Sequence, residues 1–150
     1  MKALELRLLP PTVVLVFALA MWLTAYAFPG LSTPLPGNNV LAVFFALAGI
    51  TSGAAGIIAF NRACTTFNPV RPHKAACIVS EGIFRFSRNP MYLGMLLLLA
   101  GWAAYLAHPL ALLFLPLFIA YMNRFQIIPE ERALTDKFGA PFISYLNTVR

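Results

Sequence analysis

The chain has 150 residues, 60% of them hydrophobic and 11% charged, with a mean hydropathy of +0.77 and a net charge of +6. A soluble domain carries about 25% charged residues, so this composition excludes an ordinary soluble protein and points to the bilayer. The positive residues are scattered through short connections with no interleaved aromatic platform, which argues against nucleic acid as a partner and reads instead as a topology signal.

No Asp, Glu, Lys or Arg occurs from Leu8 through Asn61, or from Asn89 through Asn123. A crossing needs about 20 apolar residues, so each stretch has room for two. Lys2 and Arg7 followed by an apolar run and "AYA" at 25–27 have the outline of a cleavable signal. Pro29-Gly30 ends a membrane helix equally well, and retention is the expectation. Pro10-Pro11 starts the first helix, with 12–28 as its apolar body. The segment 29–39, dense in Pro, Gly and Asn, is a loop. A second helix covers 40–60. The polar connection 61–90 follows. The next apolar run, Met91 to Met122, would be about 48 Å long as one helix, and His108-Pro109 divides it into crossings at 91–107 and 109–128. Pro129 suits the first position of a new helix over 129–138, where Glu130 and Glu131 meet the positive end of the helix dipole. Gly139 is its stop.

The fold class expected is therefore all-α integral membrane, one domain over residues 1–150, with four transmembrane helices. A cytoplasmic loop joins helices two and three, and a short interfacial helix ends the bundle. All 11 Lys and Arg lie before helix one, between helices two and three, or after helix four. The positive-inside rule makes that face cytoplasmic, with both termini on it. A bacterial inner membrane is the expected location ahead of the endoplasmic reticulum.

Cys64 and Cys77 have neither CxxC spacing nor a third ligand beside them, so they read as free thiols, and no metal site is offered. Gly49, Gly53 and Gly56 in helix two lack the strand and the acidic residue of a nucleotide fingerprint. Small residues four apart let membrane helices approach closely. The face they form serves packing within the bundle or a homodimer.

Chemistry must come from the cytoplasmic face, where 61–90 and 124–145 converge. From the residues alone, Arg85 and Arg88 can merely meet lipid phosphate, and the Glu pair can merely cap a helix. The pattern across both clusters says more. "VSEGIFRFSRNPMYLG" (79–94), followed by "EERALTDKFGAPFISY" (130–145), resembles the isoprenylcysteine carboxyl methyltransferase and phospholipid methyltransferase superfamily. The resemblance rests on Gly82, Phe84, Arg88, Asn89, Pro90 and Tyr92, then on Glu130, Glu131, Leu134, Phe138, Gly139, Phe142 and Tyr145. It spans about the last 90 residues.

The resemblance implies a membrane methyltransferase using S-adenosylmethionine, with a lipophilic or amphiphilic acceptor (carboxylate, amine or thiol) and membrane lipids as partners. It implies cofactor binding by Ala76, Cys77, Ile78, Val79, Phe84, Asn89, Pro90, Met91, Tyr92 and Glu130. Arg88 and Glu130 are the candidate catalytic pair. Phe84 stands where Tyr is frequent, and Asn89 where the isoprenylcysteine enzymes carry His. Gln126 occupies the place of a substrate-contacting Arg, with Arg124 nearby; both are candidates for substrate binding. The alternatives are a non-catalytic scaffold or lipid-binding protein and a sterol-reductase-like enzyme, which cofactor affinity would separate.

Overall fold

The computed structural model describes residues 6, 8–34, 36–63 and 77–149. The described residues form helices and turns, with no strand among them. Helix α1 (Pro10–Ala27) begins on a proline, whose missing N–H costs nothing in a first turn. Helix α2 (Asn38–Arg62) is the longest single α-helix, at 25 residues. Helix α3 (Pro90–Leu106) again starts on proline and ends where Ala107 turns left-handed at φ 49°. The chain then re-enters helix as α4 (Pro109–Leu112) and α5 (Phe114–Met122), passes through a π turn at Asn123–Ile127, and continues as α6 (Ile128–Phe138). Gly139, at φ 62°, separates α6 from α7 (Ala140–Thr148).

Among the described residues, three spans are long and apolar enough to cross a membrane: Pro10–Ala27, Asn38–Arg62 and Pro109–Phe138. The apolar helix Pro90–Leu106, at 17 residues, is a shorter fourth. This is the architecture of a multi-pass integral membrane protein.

The helix expected over 129–138 is present as α6, with Pro129 in its first turn, but it is not separate from the helix before it: one helical span runs from Pro109 to Phe138. Inside an α-helix, proline lacks a donor for the carbonyl four residues back, and its ring collides with that carbonyl. Here the helix widens just before Pro129, and the Ile128 N–H reaches back five residues to the Asn123 carbonyl. The π turn makes room for the ring, so the helix passes through the proline instead of ending.

Of the two readings of the Gly49, Gly53 and Gly56 face, the structure shows packing within the bundle: α3 lies against it. A Cβ on Gly49 would lie 2.7 Å from the Gly94 carbonyl oxygen, and one on Gly56 would lie 2.8 Å from Met91 Cγ. The close crossing brings Ser52 Oγ within 2.7 Å of the Pro90 carbonyl, to which it donates. Helix α1 packs on α3 through Trp102, whose indole N–H donates to the Ala18 carbonyl at 3.0 Å, and on α5 through an edge-to-face pair, Phe17 with Phe118. Val13, Met21, Leu99, Ala103, Ala111, Phe118 and Met122 form the buried core. Leu15, Val40, Phe44 and Leu117 are among the many large apolar side chains left on the outer faces.

The two ends of the bundle are closed differently. At one end, Thr33 N–H donates to the Ala107 carbonyl at 2.8 Å and buried His108 places Nε2 3.0 Å from the Phe28 carbonyl. The other end holds the start of α1, the end of α2, the start of α3 and the polar part of the long fourth helix.

Candidate functional site

The segment leading into α3 is shaped by three residues. Gly82 takes φ 61°, a left-handed conformation that favours glycine, and opens a 3₁₀ turn over Gly82–Arg85. That turn drives Phe84 inward, where it is buried edge-on against Phe60 of α2, with ring centroids 5.1 Å apart. Asn89 stays out of the helix at φ −131°, as a residue before proline is disposed to do. Helix α3 therefore starts at Pro90 and leaves the N–H groups of Met91 and Tyr92 without intrahelical acceptors.

Two consecutive carboxylates on α6 grip this turn. Tyr92 Oη donates to Glu130 Oε2 at 2.8 Å, and Arg88 Nη1 lies 3.2 Å from Glu131 Oε1 in an ion pair. From α7, Tyr145 Oη donates to the Phe84 carbonyl at 2.9 Å. Burial pushes the Tyr145 hydroxyl up to about 12, against the opposing pull of the Arg88 charge, so it is a protonated donor throughout the neutral range. Tyr145→Phe is expected to destabilise the fold by about 1 kcal/mol by freeing the Phe84 carbonyl. Thermal unfolding in detergent followed by circular dichroism measures that loss.

These elements enclose a cavity of about 190 Å³. Phe84, Arg88, Asn89, Pro90, Met91, Tyr92 and Glu130 all line it. Its remaining walls come from Leu9, Pro10 and Pro11 at the start of α1, Phe60 on α2, and Met95 one turn into α3. Its charge is divided between Arg88 and Glu130. Arg88 Nε is buried without a hydrogen-bond partner among the described residues.

The other sequence candidates lie elsewhere. Ile78 and Val79 line a second hollow of about 480 Å³ with Arg62, Glu81 and the last turns of α2. Cys77 is exposed, its thiol 3.5 Å from the Ala63 carbonyl, and Ala76 lies outside the described residues, as does Cys64. Arg124 is exposed, its guanidinium 5.5 Å from the centre of the Phe125 ring. Gln126 is completely buried and donates from Nε2 to the Leu8 carbonyl at 2.7 Å. Neither lines the cavity. The wall contributed by Leu9, Pro10 and Pro11 is absent from the sequence reading, where Pro10-Pro11 signals only a helix start; nothing local marks it as part of a site.

The phospholipid methyltransferase family model matches residues 38–141, which include α2, the turn, α3 and Glu130. The chain belongs to the phospholipid methyltransferase family. Within this family member, the matched region supplies both charged groups of the cavity, while the α1 wall lies before it. An uncharacterised protein of Haemophilus influenzae is 43% identical to the chain over 60 residues, which make up 40% of this chain and 95% of that protein. No solved structure gives a significant match.

Proposed function

We propose that this protein methylates a lipophilic or amphiphilic acceptor, using S-adenosylmethionine held in the cavity between Arg88 and Glu130. The observation that carries the reading is that these two residues, far apart in the sequence and opposite in charge, line one small cavity beside the first turn of α3. The amino-acid end of the cofactor is a zwitterion. Arg88 Nε is a buried donor without a partner among the described residues, and an unmet buried donor is costly. A carboxylate there satisfies it, with help from the open N–H groups of Met91 and Tyr92, since helix N-termini favour anions. Tyr92 takes one oxygen of Glu130. The other can accept from the ammonium or from a ribose hydroxyl. Phe84 and Tyr92 offer aromatic faces for the adenine.

The cofactor supplies an electrophilic methyl on a sulfonium, whose departure leaves a neutral thioether. The chain's task is alignment and exclusion of water. Leu9, Pro10, Met91 and Met95 supply a dry apolar wall, in which opposite charges attract more strongly than in water. The acceptor is a carboxylate, amine or thiol on an apolar body that arrives from the surrounding lipid. The site face, which holds the start of α1, the end of α2, the start of α3 and the polar end of α6, is the cytoplasmic one by the positive-inside rule, since the Lys and Arg residues of the sequence fall beside these ends.

Calorimetry with S-adenosylhomocysteine on the detergent-solubilised protein is the test. Binding in the micromolar range is expected. Glu130→Gln keeps the side-chain shape and removes the charge, so binding should weaken by about 1–2 kcal/mol, or five- to thirtyfold. Absence of binding by folded wild-type protein would overturn the cofactor reading and leave a scaffold or lipid-binding role. Unchanged affinity in Glu130→Gln would remove that residue from the site.

A further inference from the structure

The first turn of α1 closes one side of the cavity, and its inner face is anchored by Pro10 and Val13, both buried. Leu9 and Pro11 line the cavity while remaining exposed on their other sides, and Leu8 and Thr12 are exposed as well. The segment leading into this turn is held to the fourth helix by polar ties. Gln126 Nε2 donates to the Leu8 carbonyl at 2.7 Å, and the Leu6 N–H donates to the Phe125 carbonyl at 3.1 Å.

Both ties originate in the π turn, and Pro129 explains one of them. Phe125 lies four residues before Pro129 and receives no N–H from it. Leu6 supplies a donor instead. Gln126 has no solvent exposure, so its amide would be costly to leave without an acceptor, and Leu8 provides one. Leu9 is in turn locked to α1, because its carbonyl accepts from Thr12 N–H at 2.9 Å. Displacing Leu8 therefore pulls on Leu9 and the wall it begins.

We infer that Gln126 is a positioning residue: it holds Leu8–Pro11 as the closing wall of the cavity and acts on the bound molecule only through that wall. The effect on ligand rests on the cofactor reading above, whereas the tether does not.

The experiment pairs two variants with two readouts. Gln126→Met keeps the length of the side chain without a donor. Gln126→Glu keeps its shape, and a carboxyl buried there against a carbonyl stays protonated and donates its O–H to Leu8. Spin labels on Leu8→Cys and Asp136→Cys, in a chain whose Cys64 and Cys77 are serine, report the distance from the wall to α6. A single narrow distance is expected with Gln126 and with Gln126→Glu, and a broad distribution in Gln126→Met. S-adenosylhomocysteine affinity should fall about tenfold in Gln126→Met and stay near the wild-type value in Gln126→Glu. An equally narrow distribution in Gln126→Met would overturn the tether. A broadened distribution with unchanged affinity would overturn the positioning role. If the wild-type chain binds no S-adenosylhomocysteine, the cofactor reading fails, and the distances alone decide the tether.

Discussion

Gly94→Val should stop α2 and α3 from closing, with a loss of stability on the order of 3 kcal/mol from overpacking. A Cβ at position 94 would lie 2.7 Å from the Gly49 carbonyl oxygen and 3.0 Å from the Gly53 nitrogen. Both are backbone atoms, so no rotamer change relieves the clash. In lipid there is no hydrophobic drive to bring helices together, and close packing of small residues supplies the attraction instead. The damage should extend to the cavity, because α3 carries Asn89 through Tyr92 at its start. Gly53→Ala is the control: a Cβ there meets nothing within 4 Å, so the change should be neutral or slightly stabilising. Thermal unfolding in detergent compares the two. Equal midpoints for Gly94→Val and Gly53→Ala would contradict the packing described for this helix pair.

Arg88→Ala should weaken S-adenosylhomocysteine binding by roughly ten- to a hundredfold, since a hydrogen bond to a charged group contributes about 1.5–3 kcal/mol. The guanidinium has two tasks. Nη1 pairs with Glu131 and so fixes the turn against α6, while Nε faces no protein acceptor among the described residues. Arg88→Lys keeps the charge but not the fork, and should fall between wild type and alanine. Arg85 is the natural comparison, being exposed and absent from the cavity wall. Arg85→Ala should leave affinity unchanged. If Arg88→Ala binds as tightly as Arg85→Ala, then Arg88 serves lipid headgroups or structure, and the anion-binding role is wrong.

What the sequence made legible has a physical pattern. Charge-free stretches of membrane length announce helices because the bilayer imposes one strong constraint, that the backbone must bond to itself. The start of α3 was readable from Asn89-Pro90 because proline acts on its immediate neighbour. The small-residue face of α2 was readable as a packing face, but its partner was not: only the structure shows that Gly94 meets it. Pro129 was readable as a first-turn residue of a helix, but not the continuity with the helix before it, because the widened turn that lets the helix pass through depends on preceding residues. The Leu9–Pro11 wall, and the contact of Gln126 with Leu8 before it, were hidden for another reason. Gln126 and Leu8 meet across more than a hundred residues of chain, and no local pattern encodes such a contact. Ile78 and Val79 precede the turn closely in sequence, yet they line a different hollow because the Gly82 turn changes the direction of the chain.

The long helical span from Pro109 to Phe138 also sets a depth. By helical rise, Glu130 lies about 32 Å from Pro109, close to the thickness of a hydrocarbon core. On the proposed function, with Pro109 at the far boundary of that core, the carboxylate stands where acyl tails give way to headgroups. An acceptor dissolved in the leaflet, its polar group at its resting height, then reaches the cavity without having to leave the membrane or sink into it.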